Sequence, residues 1–235
     1  MHHNFLFDLD QTILDFHATE KKALEIVARN NGLTYSEDVY TSFKAFNKSL
    51  WLRLEKGEIT KQQLFEMRFK ELIRLCKGES LGLDPAALND EFIDTMAKNG
   101  IPMEGALEFI DRIKREIKGA RIYIVTNGVT KNALGRIRST GLDKYLDDVF
   151  VSEAMGTVKP EKKYFDLCLE KIAEPKETCI VIGDSLTSDM QGAKNAGMTS
   201  VWFMPEGNAE EAKVMYDIDY TASSFDELFE ILKKL

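Results

Sequence analysis

Short, almost continuous apolar runs, separated by longer helical patterns, constrain the fold of this sequence most. The runs "IYIVTN" and "CIVIGD" show no alternation between apolar and polar residues, as expected for strands that are covered on both faces. The predicted strands are residues 4–8, 121–126, 148–152, 178–183 and 199–204. Because a helical pattern lies between successive runs, the sequence predicts an α/β fold with a parallel sheet, of the Rossmann-like kind.

The chain between the first and second predicted strands has a different pattern of apolar residues. Apolar residues recur there at helical spacing, and Thr60 and Gln63 stand in the pattern of a capping box. One predicted helix begins after Ser36 and carries a stripe of Val39, Phe43, Phe46, Leu50 and Leu54. We therefore expect a sheet core of residues 1–15 plus 98–235, with residues 16–97 inserted as a helical cap.

The composition excludes some classes of partner. The formal net charge of -8 argues against a nucleic-acid polymer, because binding a phosphate backbone requires basic patches. A small anionic ligand remains compatible with this charge if a cation sits in the site. No apolar stretch is long enough to cross a bilayer, so no membrane partner is expected. Three scattered cysteines favour a reducing cytoplasm. For the oligomeric state, we expect a monomer or a weak homodimer.

Polar residues stand at the ends of several predicted strands. Asp8 ends the first strand and Asp10 follows it, Thr126 and Asn127 end the second, and Asp184 follows the fourth. The carboxyl ends of parallel strands meet at one edge of a sheet, where ligands bind in this class of fold. We therefore expect these side chains to lie close together.

Two further charged residues are candidates for the same edge. Lys159 is predicted to open the helix before the fourth strand, with Pro160 in the first helical turn. Asp189 follows Asp184 closely enough for a loop-to-helix turn to bring it back to the rim.

Several carboxylates in a small volume repel one another unless a cation offsets their charge. Oxygen ligands favour Mg²⁺, which Asp8 and Asp10 could hold. Asp8 could then attack an electrophilic phosphorus and form an aspartyl-phosphate, while Asp10 protonates the leaving oxygen and later accepts a proton from water. Lys159 would offset negative charge, and the Thr126 hydroxyl with backbone N–H groups near Asn127 would hold the phosphoryl oxygens.

These residues resemble the motifs of the Mg²⁺-dependent phosphatases of the haloacid dehalogenase (HAD) superfamily. The stretches "DLDQT", "IVTN", "VKPEKKYF" and "GDSLTSD" are similar to its first to fourth motifs and occur in family order. The resemblance implies Asp8 as nucleophile, Asp10 as acid and base, and Asp184 as a metal ligand with Asp189 behind it. It also implies that Thr126, Asn127 and Lys159 bind the phosphoryl group, and that the helical insertion is a cap. Gln11 departs from the family, where Gly or Glu is commoner, and this affects only the turn after the first motif.

The cap resembles that of the YjjG-type pyrimidine 5′-nucleotidases, through the stretches "FNKSLW", "GEIT" and "RF". This second resemblance implies that Asn47, Lys48 and Arg68 contact the substrate. An alternative for Asn47 is a buried amide with satisfied hydrogen bonds, and an alternative for Arg68 is a side chain that reaches solvent.

The expected function is Mg²⁺-dependent hydrolysis of a small phosphorylated metabolite, a nucleoside 5′-monophosphate with a pyrimidine base. The nearest alternative is a sugar-phosphate phosphatase or phosphomutase of the same superfamily. A 2-haloacid dehalogenase is disfavoured, because it needs neither Mg²⁺ nor an acid at position 10. A non-catalytic regulatory protein is the alternative outside enzymology, and retention of Asp8 and Asp184 argues against it.

Overall fold

The computed structural model describes residues 2–55, 57–203 and 214–235 of the chain. The strands are β1 (Asn4–Phe7), β2 (Arg121–Thr126), β3 (Asp148–Val151), β4 (Cys179–Gly183), β5 (Thr199–Phe203) and β6 (Tyr220–Ala222). The helices are α1 (Phe16–Asn30), α2 (Glu37–Glu55), α3 (Lys61–Leu75), α4 (Pro85–Lys98), α5 (Ala106–Glu116), α6 (Thr130–Thr140), α7 (Ser152–Met155), α8 (Lys162–Ile172), α9 (Gln191–Ala196) and α10 (Phe225–Lys234). Among the residues described, no helix has both the length and the hydropathy needed to span a bilayer.

Six parallel strands form one sheet in the order β3-β2-β1-β4-β5-β6. The first strand of the chain is therefore central, with Phe7 opposite Ile124 of β2 on one side and Ile182 of β4 on the other. The strand order reverses at this point, and in such sheets the crevice beyond the carboxyl ends of the reversing strands is the usual ligand site. The residues that follow β1, β2 and β4 are therefore the candidates for a ligand site.

Both faces of the sheet are covered, which explains the continuous apolar runs. Phe5 and Phe7 of β1 pack on one face in a cluster with residues of α5, α6 and α10, and the Phe7 ring meets Phe109 edge-on at 5.9 Å. Leu6 points to the opposite face and packs with residues of α8 and α9, among them Phe165. This alternation along an extended strand fixes the register of β1 in the sheet.

The predicted α/β architecture with a parallel sheet is confirmed. The bounds of β2 agree with the prediction, and the bounds of β1, β3 and β4 differ from it by one residue at one end. For the fifth predicted strand, Met204 lies outside the described residues. The sixth strand was missed, because Tyr220–Ala222 contains no apolar run and only Ala222 is buried.

The prediction that Lys159 opens a helix is wrong. Helix α8 begins at Lys162, and Lys159 lies in the preceding loop, joined to Pro160 by a cis peptide bond. The loop has a tertiary cause, since the Asn127 side chain binds both the N–H and the C=O of Lys159, and neither group is left for a helical hydrogen bond.

The chain divides into two compact units, one of Met1–Phe16 and Gly100–Leu235, the other of His17–Asn99. The second unit is helical. A chain of aromatic contacts joins three of its helices, with ring centroids 6.0 Å apart between Phe43 and Phe69 and 5.4 Å apart between Phe69 and Phe92. The predicted capping box is confirmed at the start of α3, where Thr60 and Gln63 bond reciprocally.

In the first unit, the segments on either side of the helical insertion pair with each other. The N–H of Asp15 donates to the O of Ile101 at 2.8 Å, and the N–H of Met103 donates to the O of Ile13 at 2.9 Å. Leu14 forms an antiparallel bridge with Pro102 between them. The chain therefore leaves the sheet unit and returns to it at one place.

Candidate active site

The ammonium group of Lys159 lies among buried carboxylates beyond the end of β1. Its Nζ donates to Asp8 Oδ1 at 2.5 Å, to Asp189 Oδ1 at 2.6 Å and to the main-chain O of Val125 at 3.0 Å. Burial lowers the pKa of Lys159, but the charges of Asp189 and Asp8 raise it more, so its pKa lies above the ordinary value. All three donors of the ammonium are used, and its position is fixed from three sides.

Asn127 positions Lys159 through its main chain. The amide Oδ1 accepts from the N–H of Lys159 at 2.9 Å, and the amide Nδ2 donates to its C=O at 2.9 Å. The expectation that this residue contacts the phosphoryl group thus applies to backbone N–H groups beside it, because the side chain already has two partners. Thr126 is buried at the end of β2, and its Oγ1 accepts from the N–H of Gly128 at 3.1 Å.

Asp189 occupies a tight turn directly after β4. It lies in a single π-helical turn, Leu186–Met190, and its Oδ2 accepts from the N–H of Ser185 at 3.1 Å. A Cβ atom at Gly183 would stand 2.3 Å from Asp189 Oδ2, much closer than real atoms approach. The missing side chain at position 183 is therefore what admits the Asp189 carboxylate to the end of the sheet.

Three aspartates gather at this edge, since Asp8, Asp184 and Asp189 offer carboxylate oxygens that all lie within 4.8 Å of one another. Burial raises the pKa of Asp8 well above its ordinary value, although the charge of Lys159 lowers it. Burial, followed by the charge of Asp189, raises the pKa of Asp184 to about 7. Three carboxylates against one ammonium leave an excess of negative charge in a buried site.

A hard divalent cation fits this cluster. The donors are carboxylate oxygens, which Mg²⁺ prefers, and two positive charges would offset the excess. Both oxygens of Asp189 already accept hydrogen bonds, from Lys159 and from the N–H of Ser185. Asp8 and Asp184 are therefore the carboxylates with capacity to hold the ion.

That Asp10 helps to hold the metal with Asp8 and Asp184 stays a prediction, and the carboxylate of Asp10 is not among the clustered ones. Asp10 lies in a tight turn, in which the N–H of Gln11 donates to the O of Leu14 at 2.8 Å. The guanidinium of Arg136 takes both carboxylate oxygens, with Nη1 on Oδ1 and with Nη2 donating to Oδ2 at 3.1 Å. The Asp10 carboxylate therefore lies outside the group formed by Asp8, Asp184 and Asp189.

Sequence reasoning missed Arg136. The residue stands on α6 between Ala133 and Ile137, both of which are buried, and it is itself only 2% exposed. A charged residue on the apolar face of a predicted helix was the available signal. The sequence could indicate an unusual buried cation, but not that its partner is Asp10, more than a hundred residues away.

In the helical unit, the predicted cap residues lie in different environments. Asn47 is buried, and its Nδ2 donates to Glu20 Oε1 at 3.0 Å, while its Oδ1 has no hydrogen-bond partner among the described residues. Lys48, next to it on α2, is exposed. The alternative of a fully satisfied buried amide therefore holds for only half of the Asn47 side chain.

Arg68 is buried, so the alternative that it reaches solvent is wrong. Its Nε and Nη2 donate to Asn89 Oδ1 at 3.1 and 2.6 Å. Three aromatic rings lie 4.8 to 5.4 Å from its guanidinium carbon: those of Phe65, Phe69 and Phe92. Aromatic faces attract a cation, and this contact holds the guanidinium inside the unit.

Glu20 makes the helical unit sensitive to pH. Burial raises the pKa of Glu20 from 4.5 to about 7, although the charges of Arg68 and Lys44 lower it. Between these two pKa values the unfolded chain has lost the proton that the folded chain keeps, so the stability contributed at this site falls as pH rises and levels off above about pH 7. In Glu20→Gln this dependence is absent.

We expect the free energy of unfolding of Glu20→Gln, relative to wild type, to rise by about 3 kcal/mol between about pH 4 and about pH 8, measured by urea unfolding. Glu25→Gln is the matched control, because Glu25 is exposed on the same helix. A difference that stays constant with pH would contradict the raised pKa of Glu20.

Comparison with known proteins agrees with this geometry. A family model described as haloacid dehalogenase-like hydrolase matches residues 3–197. The chain is 34% identical to pyrimidine 5′-nucleotidase PynA of Streptococcus pneumoniae, over 97% of this chain and 94% of PynA. It is 32% identical to pyrimidine 5′-nucleotidase YjjG of Escherichia coli, over 97% of this chain and 96% of YjjG.

Among solved structures, the HAD-hydrolase YfnB of Bacillus subtilis, bound to magnesium, superposes with a TM-score of 0.84. The identity is 32%, and the match covers 98% of each chain. The family model spans β1 to α9, and with them the strand ends that carry Asp8, Thr126 and Asp184. With the sheet order, the residues at its edge and these likenesses in agreement, the chain belongs to the haloacid dehalogenase-like hydrolases.

Proposed function

We propose that this chain is a Mg²⁺-dependent phosphomonoesterase that hydrolyses nucleoside 5′-monophosphates with a pyrimidine base, such as UMP, dUMP or dTMP. The observation that carries the phosphatase function is the buried Asp8 carboxylate, held by the Lys159 ammonium beside Asp184 and Asp189. One carboxylate is thereby oriented at the ligand edge of the sheet, in surroundings that can compensate the charge of a phosphate.

In the first half of the proposed reaction, an oxygen of Asp8 attacks the phosphorus of the ester. The bond between phosphorus and the leaving oxygen breaks, and Asp10 gives its proton to that oxygen. The nucleoside leaves, and the phosphoryl group remains on Asp8 as an aspartyl-phosphate. Mg²⁺, when bound by Asp8 and Asp184, would offset charge on the phosphoryl oxygens.

In the second half, Asp10 takes a proton from a water molecule, whose oxygen attacks the phosphorus. The bond to Asp8 breaks, which restores its carboxylate and releases inorganic phosphate. Lys159 stays charged throughout and offsets the charge of Asp8. The Thr126 oxygen already accepts from Gly128, so the hydroxyl proton is the part of this group suited to a phosphoryl oxygen.

Two observations bear on the substrate. The relatives PynA and YjjG are named pyrimidine 5′-nucleotidases, which supports the same class of substrate here. Asn47 Oδ1 is a buried acceptor without a partner among the described residues, and the N3–H of uracil or thymine is a donor that suits it. We assign Asn47 and Lys48 to substrate contact, and Arg68, which binds Asn89, to the packing of the helical unit.

The proposed setting is the cytoplasm. The three cysteines are buried and free, in keeping with a reducing compartment.

Asp8→Asn should abolish phosphate release, because an amide cannot form the aspartyl-phosphate. The assay is inorganic phosphate released from p-nitrophenyl phosphate and from UMP, with Asp166→Asn as control. Asp166 is an exposed carboxylate paired with Lys162 on α8, so its loss leaves activity intact. Release at the wild-type rate by the Asp8 variant would refute the covalent route.

Activity should require a divalent cation. EDTA is expected to remove phosphate release and Mg²⁺ to restore it. Mg²⁺ should also raise the melting temperature of wild type but not of Asp184→Ala, since ligand binding to the folded state stabilises it. Full activity in excess EDTA, or an equal thermal shift in both proteins, would rule out the assigned metal role.

Pyrimidine nucleoside monophosphates should be the best substrates in a screen of nucleotides and sugar phosphates. Asn47→Ala should lower kcat/KM for UMP by about tenfold, as expected for loss of one hydrogen bond in a buried site, but leave p-nitrophenyl phosphate nearly unaffected. Ser42→Ala, at an exposed position of the same helix, is the control. A sugar phosphate that outperforms every nucleotide would favour the alternative substrate class and overturn the nucleotide assignment.

A further inference from the structure

Arg136 and Asp10 form an ion pair that the reaction scheme above does not use. The guanidinium is almost fully buried, while the Asp10 side chain is 31% exposed. The contact is bidentate, so the plane of the carboxylate is set by the plane of the guanidinium. A single ammonium in the same place would supply charge but would not set this plane.

The placement of Arg136 is costly unless Asp10 is present. Taking a charged group out of water costs several kcal/mol, and an apolar residue of similar volume is often at least as stable in such a place. The Nε atom of Arg136 is buried and has no hydrogen-bond partner among the described residues. The ring of Phe16 also lies beside the guanidinium, with the guanidinium carbon 5.5 Å from the ring centroid. The arginine is therefore directed at Asp10.

The turn that carries Asp10 fixes its main chain but does not orient its carboxylate. Asp10 follows β1 in a turn closed by hydrogen bonds from Ile13 and Leu14 to the O of Leu9, and these bonds hold the main chain only. The Asp10 carboxylate accepts two hydrogen bonds from Arg136 on α6. Helix α6 packs on the sheet through Ala133 and Ile137. The Asp10 carboxylate is therefore bound by a residue whose helix is anchored in the core.

We propose that Arg136 is a positioning residue for the acid–base chemistry of Asp10. It holds the carboxyl group at the angle from which a proton reaches the leaving oxygen, and it touches neither the substrate nor the metal. This role rests on the proposed phosphatase function. Position matters at this step because proton transfer requires the acid within hydrogen-bond reach of the leaving oxygen.

The proposal predicts a dependence on the leaving group. A nucleoside 5′-oxygen is an alkoxide and needs a proton as it leaves, whereas p-nitrophenolate is stable without one. Because kcat/KM reports the steps up to the first irreversible one, it isolates transfer of the phosphoryl group to Asp8 from the later hydrolysis. Disturbing Arg136 should therefore lower kcat/KM for UMP and spare p-nitrophenyl phosphate.

The test compares Arg136→Lys with Arg138→Lys. Arg138 is exposed two residues further along α6, and its Nε donates to the O of Leu134 in its own helix, so this substitution should leave both substrates unaffected. Arg136→Lys keeps the positive charge but loses the two parallel N–H donors that bind both oxygens of Asp10. We expect kcat/KM for UMP to fall about tenfold or more, since general acid–base catalysis contributes ~10²–10⁴ in total, with little change for p-nitrophenyl phosphate.

A double variant separates positioning from mere packing. In Asp10→Asn, the acid is already lost, so adding Arg136→Lys should cause no further loss of kcat/KM for UMP. Equal losses for the two substrates, or losses that multiply in the double variant, would show that Arg136 is only structural. A wild-type protein that hydrolyses neither ester would instead remove the proposed function, and this role with it.

The pair itself is checked without any assay of activity. Urea midpoints of the single and double variants at positions 10 and 136 form a thermodynamic cycle, and the losses should be clearly less than additive if the two side chains interact. Additive losses in this cycle would show that the two side chains are not coupled in solution and would overturn the proposal.

Discussion

The organisation of the site depends on one buried ammonium. Lys159 lies on the loop before α8 and binds a carboxylate after β1, a carboxylate after β4 and a carbonyl in β2. Three neighbouring strands of the sheet are thereby tied together at their carboxyl ends by a single charge. Removing that charge would leave Asp8 and Asp189 buried without compensation, which is among the most costly changes that a folded protein can undergo.

The requirements of this ammonium account for features that surround it. Asn127 holds the main chain of Lys159 through both its amide oxygen and its amide nitrogen, and a side chain at position 183 would collide with the Asp189 carboxylate. Neither the Asn127 side chain nor Gly183 takes part in the bond changes of the proposed reaction. They determine where the participating groups lie, and small errors in such positions cost large factors in rate.

Much of the fold could be predicted from the sequence, because strands buried on both faces have a composition of their own. The gathering of Asp8, Lys159, Asp184 and Asp189 was also predictable, since strand ends share an edge. The pairing of Asp10 with Arg136 was not, because it depends on the depth and rotation of α6 against the sheet. Strand β6 and the loop at Lys159 were not predicted for a related reason, because tertiary hydrogen bonds and not the local sequence pattern determine them.

The paired segments that flank the helical insertion have a consequence for the history of such a chain. Asp15 and Ile101 are hydrogen-bonded neighbours, so for the sheet unit the whole of His17–Asn99 is equivalent to the tip of one hairpin. The entropy of closing such a loop grows only slowly with its length. The insertion could therefore be lengthened, shortened or exchanged by recombination with little cost to the sheet. Changes within the inserted unit would then leave the charged cluster at the sheet edge intact.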